Sequence, residues 1–80
     1  MNLKELTEFL VKSLVKEPDM VSVKELKDEN FITIIVMVPK DEMGRVIGHK
    51  GRIINAIRTV VSASSYMNDL PKVKIEVDSF

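Results

Sequence analysis

Eight consecutive residues, Phe31-Ile32-Thr33-Ile34-Ile35-Val36-Met37-Val38, are apolar apart from Thr33. β-Branched side chains dominate the run, and it is far too short to span a membrane, so it reads as the strongest strand of the chain. Alternation sends Phe31, Ile35 and Met37 to one face and Ile32, Ile34, Val36 and Val38 to the other. A strand that is apolar on both faces calls for cover on both. If helices cover one face, either a homodimer or a second protein covers the other, or the last helix or the tail with Phe80 folds over it. With 80 residues in total, the chain has room for one domain and not for two.

The flanking segments supply the cover. Leu3, Leu6, Leu10, Val11 and Leu14 recur at helical spacing with Lys4, Glu5, Glu8 and Lys12 between them, which predicts an amphipathic helix over residues 2–16, stopped by Pro18 and Asp19. Met20–Lys27 reads as a strand. Asp28-Glu29-Asn30 is a polar turn that returns the chain as a hairpin. After Pro39, Asp41 is placed to cap a short helix over Met43–Ile47, with Glu42 in its first turn and Gly48 ending it. A second helix starts at Gly51 or Arg52 and runs to Met67, with Ile53, Ile57, Val60 and Ser64 as its core stripe and Ile54 and Val61 beside it. Asn68–Pro71 is a turn. Val73, Ile75 and Val77 then alternate with Lys74, Glu76 and Asp78 as a strand with one wet face. The order α-β-β-α-α-β predicts an α+β fold with three helices on a three-stranded sheet.

A formal net charge of zero hides a strong asymmetry. Residues 1–42 carry six basic and nine acidic side chains, and residues 69–80 carry two and three. Residues 43–68 carry Arg45, Lys50, Arg52 and Arg58 and no acid. Such a block attracts anions even on a neutral molecule, and it is equally what a solvated basic helix face looks like.

Within that block, Gly48-His49-Lys50-Gly51 joins the two helices. Two glycines three apart permit a tight connection with no side chains crowding the backbone. The first amide groups of the second helix lack partners within it and form the positive end of its dipole, so a phosphate can approach them, with Lys50 and Arg52 as mobile countercharge. A GxxG spacing alone is weak, since chance supplies about 0.4 in a chain of this length at ordinary glycine content. Its position between two helices, after Val46-Ile47 and before Ile53-Ile54, is what gives it weight.

Val46-Ile47-Gly48-His49-Lys50-Gly51-Arg52-Ile53-Ile54 resembles the motif of the KH domain, and the element order resembles the type II arrangement. The length, Met43–Gly48 and Ala56–Val61 are similar to the small bacterial single-KH proteins of the KhpA type. The resemblance covers essentially the whole chain and implies a single KH domain over 1–80. It implies binding of single-stranded RNA, with the loop clamping about four nucleotides, and a role as a bacterial post-transcriptional regulator or RNA chaperone. Residue by residue, it implies that Gly48 and Gly51 meet the sugar–phosphate chain and that His49 and Lys50 touch phosphates. Gly44, Ile47 and Ile54 would line an apolar groove for the bases, flanked by Arg45 and Arg52. It also implies pairing with a second KH-containing protein. Arg58 reads equally as a surface residue and as a contact.

Other functions find little support. The chain has no Walker lysine motif, no GxGxxG loop and no serine elbow, and Asp41 and Glu42 are neighbours that point apart, so an enzyme is not expected. With no cysteine and one histidine, neither a metal site nor a cofactor is expected. The absence of cysteine and of a signal-peptide pattern points to a cytoplasmic protein. The competing class is a protein-interaction module that uses the same fold without binding RNA. The intact loop and the acid-free stretch argue against it.

Overall fold

The computed structural model describes all residues from Met1 to Phe80. The Phe31–Val38 run forms β2, the middle strand of a three-stranded sheet ordered β1-β2-β3. β1, Ser22–Lys27, pairs with it antiparallel, and β3, Lys72–Ser79, pairs with it parallel. One row across the sheet holds Glu25, Ile34 and Ile75. The helices are α1, Leu3–Lys12, α2, Met43–Ile47, and α3, Arg52–Met67, which gives the expected α-β-β-α-α-β order. No helix is long and apolar enough to cross a membrane.

The core lies between the helices and one face of the sheet. Ile32, Ile34, Val36 and Val38 of β2 are buried there, with Val23, Ile75 and the helical residues Leu3, Val11, Val46, Ile54, Ile57 and Val61. Phe31, Thr33, Ile35 and Met37 point the other way and are half-buried by their own neighbours. No helix covers them, and neither does the tail, where Phe80 is 66% exposed.

Four expectations are corrected. α1 ends at Lys12, not at residue 16, although Leu14 and Val15 still pack on the core. The amides of Lys16 and Glu17 donate to the Glu42 carboxylate, at 2.8 and 3.2 Å, which takes them from any helical carbonyl. Asp41 caps nothing: Lys40–Glu42 is a 3-10 turn, and α2 begins without a side-chain cap. The buried stripe of α3 is Ile54, Ile57, Val61 and Ser65 rather than Ile53, Ile57, Val60 and Ser64. The sheet takes one of two adjacent apolar stripes. Ile53, Ala56 and Val60 are left on a flank, where they form an apolar groove with Leu10 of α1 and Leu14 just beyond it. Met20, expected in the first strand, lies in a 3-10 turn, Pro18–Met20.

Capping and turn chemistry hold the ends. Asn2 Oδ1 accepts the Glu5 amide at 2.7 Å while Glu5 Oε1 accepts the Asn2 amide at 3.2 Å, a reciprocal capping box. In the hairpin, Asp28 Oδ1 accepts the amides of Asn30 and Phe31, both at 2.7 Å. These bonds, with a smaller pull from Lys74, hold the Asp28 carboxyl below its ordinary value of 3.8.

Candidate nucleic-acid interface

α2 is only five residues long because Gly48 follows it at φ 78°, ψ 175°, a backbone region essentially closed to side chains. Its amide donates back to the Gly44 carbonyl at 2.9 Å and closes the helix. His49–Gly51 then forms one 3-10 turn. Lys50 (φ 57°) and Gly51 (φ 75°) are both left-handed, and the Gly51 amide donates to the Gly48 carbonyl at 3.2 Å. The two glycines differ. A Cβ on Gly48 would collide with Ile53, whereas one on Gly51 would have room.

This turn delivers the N-terminus of α3 to the surface with no side-chain cap and no acid in its first turn. His49, Lys50 and Arg52 are exposed there. None of the ion pairs in the molecule involves Lys50 or Arg52. Arg45 is also exposed, but its Nε lies 3.6 Å from Glu42 Oε1. Gly44 faces open space on α2, with nothing within 4 Å of an added Cβ. Ile47 is half-buried beside it. Ile54 is 5% exposed and belongs to the core, so it backs the site from beneath and presents little surface. Eight of the nine residues expected at the site therefore reach the surface around one turn, and Ile54 does not.

Sequence reasoning missed a groove. Between α3 and β3 run two adjoining depressions of about 430 and 340 Å³ that share Ser62 and Val73. Tyr66 and Lys72 line one, and Arg58, Lys74 and Glu76 the other. β3 is an edge strand here, so its outer amides and carbonyls are unpaired with any strand. Arg58 bridges the groove by donating to Asn55 Oδ1 at 3.1 Å and to the Ile75 carbonyl at 3.2 Å. The even reading of Arg58 thus gains a structural half: it is a strut between helix and strand. The groove begins about 10 Å from Gly51, at 1.5 Å per helical residue. The alternating Lys72 and Lys74 of the last strand were its one sequence signal.

Chemically, the turn offers uncapped helix amides and mobile cations, a setting suited to phosphate. The groove offers edge-strand backbone groups and mixed polar and apolar walls, suited to a flat hydrogen-bonding ligand. No group of three or more His, Cys, Asp or Glu side chains comes together.

Comparison with known proteins shows which family and which fold the chain shares. The family model described as KhpA/KhpB, KH domain, matches residues 4–77. The chain is 44% identical over 75 residues to the RNA-binding protein KhpA of Clostridium perfringens, covering 94% of this chain and 99% of that one. It is 41% identical over 76 residues to the RNA-binding protein KhpA of Chlamydia trachomatis, covering 94% and 95%. Among solved structures, Aquifex aeolicus Era superposes with a TM-score of 0.77 at 16% identity, over 98% of this chain and 30% of Era. Era in complex with nucleotides 1506–1542 of 16S ribosomal RNA superposes with a TM-score of 0.66 at 19% identity, over 96% of this chain and 29% of that protein. Both likenesses are likenesses of fold, and this chain spans under a third of Era.

Proposed function

The chain belongs to the KhpA/KhpB family of KH domains, and from that premise we propose that it is a single KH domain over residues 1–80 that binds single-stranded RNA. Loop amides with Lys50, Arg45 and Arg52 hold phosphates, and His49 adds a contact on the same turn. Gly48 and Gly51 let the sugar–phosphate chain reach the backbone. Gly44 and Ile47 border the space for about four unstacked bases, with Ile54 behind them. The protein acts in the cytoplasm of a bacterium as a post-transcriptional regulator or RNA chaperone, and it is not an enzyme.

One observation carries this reading. The acid-free segment 43–68 folds so that an uncapped helix N-terminus, two left-handed residues, the exposed cations Lys50 and Arg52 and the exposed His49 share one turn. Gly44 supports it independently. A glycine inside a helix costs about 1 kcal/mol relative to alanine, and no neighbour within the chain requires one at that position. Space kept open there serves a ligand.

A double variant, His49→Asp with Lys50→Asp, tests the reading by fluorescence anisotropy of labelled single-stranded RNA, with circular dichroism to confirm folding. Both side chains are exposed, so the fold should survive. Binding by the parent and not by the variant is expected. Equal binding would move RNA to another surface. Binding by neither would favour the protein-interaction reading, in which the uncovered apolar sheet face meets a second copy or a second KH-containing protein.

A further inference from the structure

The acid-free block 43–68 begins one residue after an acid, Glu42, and that acid reaches into it. Of the cations around the Gly48–Gly51 turn, Lys50 and Arg52 have no acidic partner, whereas Arg45 Nε lies 3.6 Å from Glu42 Oε1. No other ion pair in the molecule touches the block. The two partners differ in freedom. The Glu42 side chain is 7% exposed and that of Arg45 47%. Both Glu42 oxygens are already tied to backbone: Oε1 accepts the Lys16 amide at 2.8 Å and Oε2 the Glu17 amide at 3.2 Å. The carboxylate is therefore a fixed charge, and the guanidinium is the partner that can leave.

Two effects of such a pair on a phosphate site oppose each other. A carboxylate that hydrogen-bonds an arginine orients its fork toward a ligand. A carboxylate that only lies near it competes with the ligand for the same charge. Distance decides between them. Orientation needs a hydrogen bond of about 2.7–3.2 Å, and the single contact through Nε at 3.6 Å is too long for one. Coulomb attraction falls only as the inverse of distance, and it is poorly screened where one partner is buried. Competition therefore outweighs orientation here.

We propose that Glu42 sets the affinity of the RNA site by holding Arg45 in reserve. RNA gains the Arg45 contact only by drawing the guanidinium off the carboxylate. This regulation rests on the RNA reading of the turn. The site then has two kinds of cation. Lys50 and Arg52 are free to meet phosphate. Arg45 adds little net attraction, because the charge it brings to RNA is taken from Glu42. The grip is weaker than the four basic residues of the block suggest, and bound RNA leaves readily. Glu42 is also the acceptor for the Lys16 and Glu17 amides, so one side chain serves both the segment before β1 and the weak grip.

Anisotropy of a short labelled single-stranded RNA, titrated from 50 to 300 mM salt, tests this, with circular dichroism to confirm folding. Glu42→Gln removes the charge and keeps one carbonyl acceptor. It should bind RNA about fivefold more tightly than the parent at low salt, the upper end for a half-exposed pair. It should also steepen the salt slope by about 0.7, one full phosphate contact. Asp41→Asn is the control. It removes the same charge one residue away, from an exposed side chain without an ion pair, and should change affinity by less than about twofold. In an Arg45→Ala background, Glu42→Gln should gain no more than Asp41→Asn does. Arg45→Ala alone leaves Glu42 and its amides in place and should flatten the slope less than Lys50→Ala. That comparison stands even where Glu42→Gln fails to fold. Weaker binding by a folded Glu42→Gln protein overturns the proposal and makes Glu42 an orienting residue. Equal gains from Glu42→Gln and Asp41→Asn, or a gain that persists without Arg45, overturn it in favour of net charge alone. So does an Arg45→Ala slope as flat as that of Lys50→Ala. A parent that binds no RNA, or that binds equally well after His49→Asp with Lys50→Asp, overturns the RNA reading itself and this regulation with it.

Discussion

A methyl group on Gly48 would sit 2.6 Å from Cγ1 of Ile53 and 2.9 Å from its Cβ, so the backbone of the turn rests directly on the first apolar residue of α3. The approach locks the angle between α2 and α3 and holds the turn that carries Lys50. Gly48→Ala therefore meets two penalties, a backbone region closed to alanine and a collision with a β-branched side chain that cannot swing away. Together these should cost about 2–4 kcal/mol. Gly51→Ala meets only the left-handed penalty of about 1–2 kcal/mol, because its nearest neighbour would be 3.7 Å away. Urea unfolding of both variants checks the order. Equal losses would mean that the contact with Ile53 does not matter.

The elements legible in the sequence are those whose signal is local. The β2 run, the polar Asp28–Asn30 turn and the two glycines each declare themselves within a few residues. The stripe of α3 is ambiguous in the sequence because Ile53-Ile54 and Val60-Val61 are adjacent apolar pairs. Periodicity then fits two stripes, and only the position of the sheet chooses between them. The pattern of α1 overruns its end because Leu14 and Val15 continue it, while the carboxylate that diverts the Lys16 amide lies 26 residues further on. The groove between α3 and β3 exists only after packing, and no single segment contains it.

Phosphate contacts release counterions, so the RNA reading fixes a salt dependence. Three or four contacts at roughly 0.7 each for single strands give a slope of log affinity against log salt near −2 to −3. Lys50→Ala should reduce the slope by about 0.7 and weaken all sequences alike. Anisotropy titrations from 50 to 300 mM salt would measure this. A flat response would remove the phosphate clamp from the mechanism.

Glu42 is 5% exposed, and its carboxylate binds the chain between α1 and β1 to the start of α2. Glu42→Ala would leave the Lys16 and Glu17 amides without their acceptor and Arg45 without its anion, at a cost of about 2–4 kcal/mol. Glu42→Gln keeps one carbonyl oxygen and should lose less. Hydrogen exchange at the two amides gives the local readout: faster exchange at Lys16 and Glu17 is expected in the alanine variant. Unchanged protection would show that these bonds do not hold the loop.

Acid should loosen the hairpin through Asp28. Its carboxylate accepts first the Phe31 amide and then the Asn30 amide, and Lys74 adds a weaker attraction, so the folded carboxyl titrates below the ordinary 3.8. A group with a depressed folded value binds more protons when unfolded. Its stabilising effect is complete above 3.8 and is lost as pH falls through the lower folded value. Asp28→Asn keeps an oxygen to accept the same amides but cannot titrate in this range. Thermal melts of both proteins from pH 6 to pH 2 should therefore converge in acid: the parent's advantage is constant above pH 4 and shrinks below it. Melting curves that stay the same distance apart throughout would show that the Asp28 charge contributes nothing to the turn.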